Sequence, residues 1–131
     1  MDKTLIVDNV KYDHLHVLNL QRNFEILDGE NAGRVKTGKM VRDIIGTYYN
    51  YTLTIEADNT PDSIAQYDAF YEVISNTNDG HYIRVPYGQT TLTFYAYITS
   101  GTDTLVRADE DVSKWDGLEV KFIAISPQRV K

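Results

Sequence analysis

At 131 residues and 15.0 kDa the chain has the size of one domain, enough to bury roughly two-thirds of its unfolded surface around a single core. With 42% hydrophobic and 24% charged residues the composition excludes a disordered or membrane-spanning polypeptide. The 19 acidic against 13 basic residues give a formal charge of -6 that disfavours general nucleic-acid binding, and the lack of cysteine excludes disulfides, thiolate metal sites and cysteine nucleophiles.

The opening residues carry Asp2, Lys3 and Asp8 around the short apolar run Leu5, Ile6, Val7. That run is too short for a signal-peptide core or a spanning helix, so a soluble chain without a leader is expected. Residues 5–7 and 10–12, hinged at Asp8 and Asn9, read as a small hairpin. Further on, Leu15 and Val17 share one parity and Leu18, Leu20, Phe24 and Ile26 the other, which places a bulge or strand end near Val17 and Leu18. Residues 28–46 then break the pattern, with four glycines and with Arg34, Lys36, Lys39 and Arg42 concentrated in an otherwise acidic chain. A connection of this length has a function or is disordered. Because it also carries Val35, Met40, Val41, Ile44 and Ile45, it is expected to be an extended arm that orders against a partner subunit.

Strict alternation follows at 47–57, where Tyr49, Tyr51, Leu53, Ile55 and Ala57 are apolar or aromatic and Asn50, Thr52, Thr54 and Glu56 are polar, the mark of a strand with one covered face. One helix is predicted at about 61–75, with Thr60 as N-cap, Pro61 in the first turn, Asp62 complementing the dipole, and Ile64, Tyr67, Phe70, Tyr71 and Ile74 at helical spacing. Turn residues at 76–80 precede a strand at 82–85 that ends near Pro86. Leu92, Phe94, Ala96 and Ile98 alternate with strand formers that can cover a second surface, and residues 118–125 form a last apolar strand stopped by Pro127. The predicted fold is therefore α+β, mainly β: one domain over 1–131, an antiparallel β-sandwich or half-barrel with one flanking helix and a long loop or hairpin arm.

No catalytic constellation is complete, and no cofactor or metal is expected. Residues 33–40 match the phosphate-binding P-loop up to the last position, where Met40 replaces the hydroxyl residue that would hold magnesium, and no helix follows. His14 and His16 share one side of a strand, but His81 has no spacing relation to them. The serines lack a nucleophile elbow. Asp103, Asp109, Glu110, Asp111 and Asp116 read as a solvated acidic loop, since they lack the ligand spacing and turn glycine of a calcium loop. Trp115, beside a turn and before an apolar strand, reads as a packing plug. The chain is expected not to be an enzyme.

Residues 24–29, 31–34, 40–49, 67–75, 85–89 and 115–124 resemble small virion proteins encoded in the tail regions of phages and prophages of Gram-positive bacteria. The order of elements is also similar to the tail-tube fold shared by phage tube, distal-tail and injection-system tube proteins. The resemblance implies a structural virion protein, a tube, tail-tip or ring-adaptor component, assembling in the host cytoplasm into rings, commonly of six copies, and passing DNA without binding it specifically. It implies other tail proteins as partners and no membrane. The ring-lining sheet would draw on 47–57, 91–99 and 118–125. The subunit interface would use Arg34, Val35, Lys36, Lys39, Met40, Val41 and Arg42 of the arm, with Tyr49, Tyr51, Tyr95 and Tyr97 of the sheet. The alternative expectation is a virion-decorating or glycan-binding β-sandwich that uses exposed Tyr and Trp.

Overall fold

The computed structural model describes residues 4–131, so the sequence reading at Asp2 and Lys3 lies outside the described residues. The chain runs β1 (Ile6–Val7), β2 (Val10–Lys11), β3 (Leu15–Asp28), β4 (Gly33–Arg34), β5 (Met40–Val41), β6 (Ile44–Ala57), α1 (Pro61–Ile74), β7 (His81–Tyr87), β8 (Thr90–Tyr97), β9 (Gly101–Ala108), β10 (Ser113–Ala124) and β11 (Arg129–Val130). Among the described residues it is mainly β with one helix, and every strand pairing is antiparallel. Nine strands share one sheet: β11-β6-β10-β8-β7-β1-β2, with β3 on the other edge of β6 and β9 on β10. The remaining pair, β4 with β5, stands apart as its own ladder.

The predicted first hairpin is present. Asp8 and Asn9 adopt φ of 50° and 69°, the left-handed pair that a two-residue hairpin turn needs and that Asp and Asn tolerate. Asp8 also fixes the hairpin to β7: its carboxylate accepts the Tyr82 N–H at 2.9 Å and meets Nδ1 of the buried His81 at 2.6 Å. The bulge expected near Val17 and Leu18 is real, because the β3–β6 register shifts between Val17 and Asn19.

The core lies on one face of the sheet. Tyr51, Leu53, Ile55 and Ala57 from β6, Leu118, Val120 and Phe122 from β10, Ile83 and Val85 from β7, and Phe94 and Ala96 from β8 close around it. Each fully buried large side chain contributes about 1.5–3 kcal/mol. Helix α1 starts where expected, Thr60 Oγ1 accepting the Ser63 N–H at 3.3 Å, and ends one residue early with Ser75 as its C-cap. It adds Tyr67, Phe70 and Ile74 to the core, and Phe70 meets Tyr12 edge-on at 4.8 Å. Tyr71, expected on the same apolar face, is 38% exposed.

Strand β10 changes partner partway along. It pairs with β6 through Phe122 and with β8 from Ile123. At the change Asn50, 5% exposed, accepts the Ala124 N–H on Oδ1 at 2.9 Å and satisfies a donor that the β6 ladder no longer reaches.

Two expectations are corrected. The acidic stretch is no loop: β9 and the start of β10 form a hairpin there, and only residues 109–112 are its turn. Its strand character was hidden because β9 is exposed along almost its whole length and has no buried face to impose alternation. Trp115 is no plug: it pairs with Leu105 and remains 40% exposed.

Candidate subunit interface

The site begins with four strands lying side by side, β3-β6-β10-β9. Strand β8, expected among the ring-lining strands, lies beyond the partner change of β10 and touches neither β6 nor β9 in the ladder. In this four-stranded group the registers align rows across the sheet. Leu20, Leu53, Val120 and Gly101 form one row on the core face, and Val17, Ile55 and Leu118 another. On the opposite face Asn19, Thr54, Glu119 and Thr102 form a row, and Gln21, Thr52 and Lys121 the next. These rows are wholly polar, and their two charges, Glu119 and Lys121, have opposite sign.

Both outer strands of the group are open. Among the described residues β3 pairs only with β6, and β9 only with β10. An open strand presents unpaired N–H and C=O groups that template pairing with another chain. Nothing blunts these edges with proline, and they carry exposed apolar side chains: Val17 and Leu18 at 50% and 54% on β3, Leu105 and Val106 at 43% and 55% on β9. Since all three internal pairings are antiparallel, β3 and β9 run in opposite directions, which is the relation needed for one copy's β9 to pair antiparallel with the next copy's β3.

The arm is an ordered hairpin on top of this sheet. Strands β3 and β6 continue past the core row of Arg22, Tyr51 and Phe122 to the pair Asp28 and Ile44, and β4 with β5 form a separate short ladder beyond it. At its base Arg42 Nε reaches both oxygens of Asp28 at 2.9 and 3.0 Å, while Asp28 Oδ1 also accepts the Asp43 N–H at 3.1 Å. The hydrogen bond from Arg42, more than its charge, holds the Asp28 carboxyl below the usual carboxylate range, and the same pairing raises Arg42. At the tip the Arg34 side chain closes the turn on the Gly38 carbonyl at 2.8 Å, and Gly38 takes φ of 86°, a left-handed conformation that suits glycine.

The residues expected at the interface fall into three groups. Arg34, Val35, Lys36, Lys39, Met40 and Val41 are exposed on the arm, whereas Arg42 is consumed by the arm's own base. Tyr95 and Tyr97 are about one-third exposed on the face of β8 away from the core, where Tyr95 packs on the exposed Tyr82 with ring centroids 4.7 Å apart. Tyr51 offers no surface to a partner: it is 1% exposed in the core and donates its hydroxyl to the Pro86 carbonyl at 3.1 Å. Tyr49 stands just above the core, edge-on to Tyr87 at 5.3 Å. Sequence reading missed β9 as an edge. The exposed pair Leu105–Val106 between polar neighbours was the available signal.

Other candidates resolve into structural roles. The P-loop-like stretch is the arm tip itself, with β4, a turn and the start of β5 in place of a strand, loop and helix. His16 pairs with Asp58 at 3.1 Å and His81 with Asp8, and no group of His, Asp and Glu among the described residues has the arrangement of a metal site. Asp103 accepts the Tyr67 hydroxyl at 3.0 Å, and burial, then this bond, pushes the phenol above its ordinary range. Asp116 accepts the Ala57 N–H at 2.9 Å and the Lys114 ammonium at 2.6 Å. Trp115 walls a groove of about 460 Å³ between α1 and the β9–β10 hairpin, with Tyr71, Asp68, Glu72 and Asp103. No helix among the described residues is long and apolar enough to cross a membrane.

No family model matches this chain. No curated protein matches it either.

Proposed function

We propose that this chain is a non-enzymatic structural protein of a phage tail, a tube, tail-tip or ring-adaptor component, whose copies close into a ring. The supporting observation is the four-stranded group, open at both edges with antiparallel-compatible directions and polar on the face away from the core. Rotating copies about an axis roughly parallel to the strands brings β9 of each to β3 of the next, a heterologous contact that closes when the rotation divides a full turn. The two halves of the sheet fold over the core as a half-barrel, and the polar Asn, Gln and Thr face becomes the inner wall of the ring. A wall with mixed, sparse charge lets DNA pass without specific binding. The arms then reach neighbouring copies with their basic, apolar tips. Six copies is the commonest number for the tail-tube family, and the virion tail, after assembly in the host cytoplasm, is the corresponding location.

The test is mass in solution by sedimentation, on the native chain and two variants. A charge on each edge, Val17→Lys with Val106→Lys, leaves a folded monomer and abolishes the ring, because both side chains are exposed in the single copy. Deleting residues 35–40 also prevents assembly without unfolding the body. A native chain that stays monomeric at high concentration, or edge variants that assemble unchanged, overturns the reading.

The Trp115 groove favours a second reading, recognition of a glycan by a decorating module. Trp115 is the single tryptophan, so its fluorescence reports on that groove directly. A monomer whose emission shifts saturably with cell-wall oligosaccharides would favour this reading over the ring.

A further inference from the structure

The uncovered face at the root of the arm is a groove of about 570 Å³ lined by Arg22, Phe24, Ile26, Tyr49, Tyr87 and Arg129. Phe24, Ile26 and Tyr49 continue the core face of β3 and β6 above the Tyr51 row, and Tyr87 of β7 and Arg129 of β11 form the rest of the groove wall. Phe24 is 65% and Ile26 43% exposed. Neither guanidinium has a carboxylate partner among the described residues. Arg22 instead lies over the Tyr87 ring at 5.4 Å, and Arg129 lines the same groove wall as Tyr49 and Tyr87, where its charge acts on both phenols. The groove therefore concentrates uncompensated positive charge and apolar surface on a chain of net charge -6.

The complementary feature sits at the opposite end of the same sheet. Strand β10 runs antiparallel to β6 with Leu118 opposite Ile55, so Ser113 and the turn before it lie beyond the Ala57 end of β6, away from the arm. Counting along β10 at about 3.3 Å per residue puts this turn about 40 Å from the groove. Asp109 builds the turn: its Oδ1 accepts the N–H groups of Asp111 and Val112 at 2.9 Å each, and its Oδ2 accepts from Arg107 at 3.0 Å. The hydrogen bonds from Asp111 and Val112, with that from Arg107, hold its carboxyl below the usual range. Glu110 and Asp111 are left exposed at the apex with no cation partner among the described residues.

We infer that the acidic β9–β10 turn of one copy seats in the Arg22–Arg129 groove of another, joining copies head to tail along the strand direction. A basic, apolar-walled receptor at one end and a rigid acidic projection at the other cannot meet within one chain, and a heterologous end-to-end contact of this kind propagates. Charge complementarity selects the register and makes it sensitive to salt. Only the statement that rings are what stack rests on the proposed function; the contact itself does not.

The experiment is a charge swap. One chain carries Arg22→Glu with Arg129→Glu, the other Glu110→Lys with Asp111→Lys; association is followed by light scattering and sedimentation at low and high salt, with circular dichroism as a folding control. Each variant alone is expected to lose end-to-end association at least tenfold while ring mass is unchanged. The equimolar mixture is expected to regain it, because each acidic end then faces a basic one. The turn variant is exposed at a hairpin apex, so its result stands even if the groove variant fails to fold. Variants that stack like the native chain, a mixture without rescue, or native rings that never stack each overturn the inference and leave the ring reading intact. Arg22-dependent binding of a short oligonucleotide without any effect on stacking would assign the groove to nucleic-acid phosphates and likewise overturn it. A native chain that stacks as single copies and never forms rings sinks the ring reading and retains the contact.

Discussion

Below Tyr51 the β3–β6 pair is the wall of a core, whereas above it the same two strands run on as an antiparallel ladder in which β3 is exposed and β6 is only partly covered. In the lower half Leu53 and Ile55 are fully buried. In the upper half Phe24, Ile26, Leu27 and Ile45 are 43–65% exposed. Both halves carry apolar residues at sheet spacing, so the difference lies in what covers them. The lower half packs into the core cluster with α1, β7, β8 and β10, while the upper half meets only β11 and the Tyr87 end of β7. Apolar surface that a single copy leaves open is where the proposed contacts between copies would fall.

The sharpest way to break this contrast is to truncate one aromatic residue in each half. Phe122, fully buried beside Tyr51, should cost about 3–5 kcal/mol as Phe122→Ala, read from urea denaturation of the dilute chain. Phe24→Ala should change that stability by no more than about 0.5 kcal/mol and instead reduce assembly. A multi-kilocalorie loss at Phe24 in the monomer would mean that the upper half belongs to the monomer's core after all.

Two glycines sharpen the contrast at its boundary. Gly46 lies where β6 passes from arm to body, and a Cβ there would collide with the Arg129 carbonyl and the Pro127 ring. Gly46→Ala is therefore expected to displace β11 and cost about 1–3 kcal/mol, with loss of amide protection at Gln128, whose N–H donates to the Thr47 carbonyl at 3.0 Å. Gly38 meets nothing within 4 Å, and only its φ of 86° argues for glycine. Gly38→Ala should cost about 1 kcal/mol locally, at the arm tip, and leave the denaturation midpoint of the body where it was.

The same division explains what was legible in the sequence. Where a face is buried, period and parity write the structure into the chain: residues 47–57, the helix, the first hairpin and the bulge at Leu18 could all be read because burial forces the pattern. Strand β9 could not, since a strand exposed on almost every residue is under no such pressure. The acidic residues around it looked like a loop although Asp103 and Asp116 bind specific partners in the body. Tyr51 and Trp115 exchanged places for a related reason. Aromatic residues suit both cores and interfaces, and only the third dimension decides that Tyr51 turns inward while Trp115 stays out. The arm could be delimited from glycine and charge, but its being a self-paired hairpin depends on Asp28 and Arg42 meeting across 14 residues, which no local periodicity records.

That clamp gives the smallest effect and the one most specific to the arm. The Asp28 carboxyl titrates below its ordinary value of 3.8 in the folded arm, first because Arg42 donates to it and then because of the Asp43 N–H. A depressed folded pKa contributes stability that is present above the unfolded value and is lost as the pH falls through the folded one. The Arg42 guanidinium keeps its charge throughout, so Asp28 alone sets the transition. As the pH falls through 3.8 and below, the amides of Gly29 and Asp43, which bond to the Asp43 carbonyl and to Asp28, should lose protection relative to intrinsic exchange. The Ala124 amide, bonded to the non-titrating Asn50 in the body, should keep its protection over the same range. Asp28→Asn should remove the step and leave the arm base equally open at every pH. If Gly29 and Asp43 instead hold their protection until Ala124 loses its own, arm and body unfold as one unit, and the boundary drawn at Tyr51 does not exist.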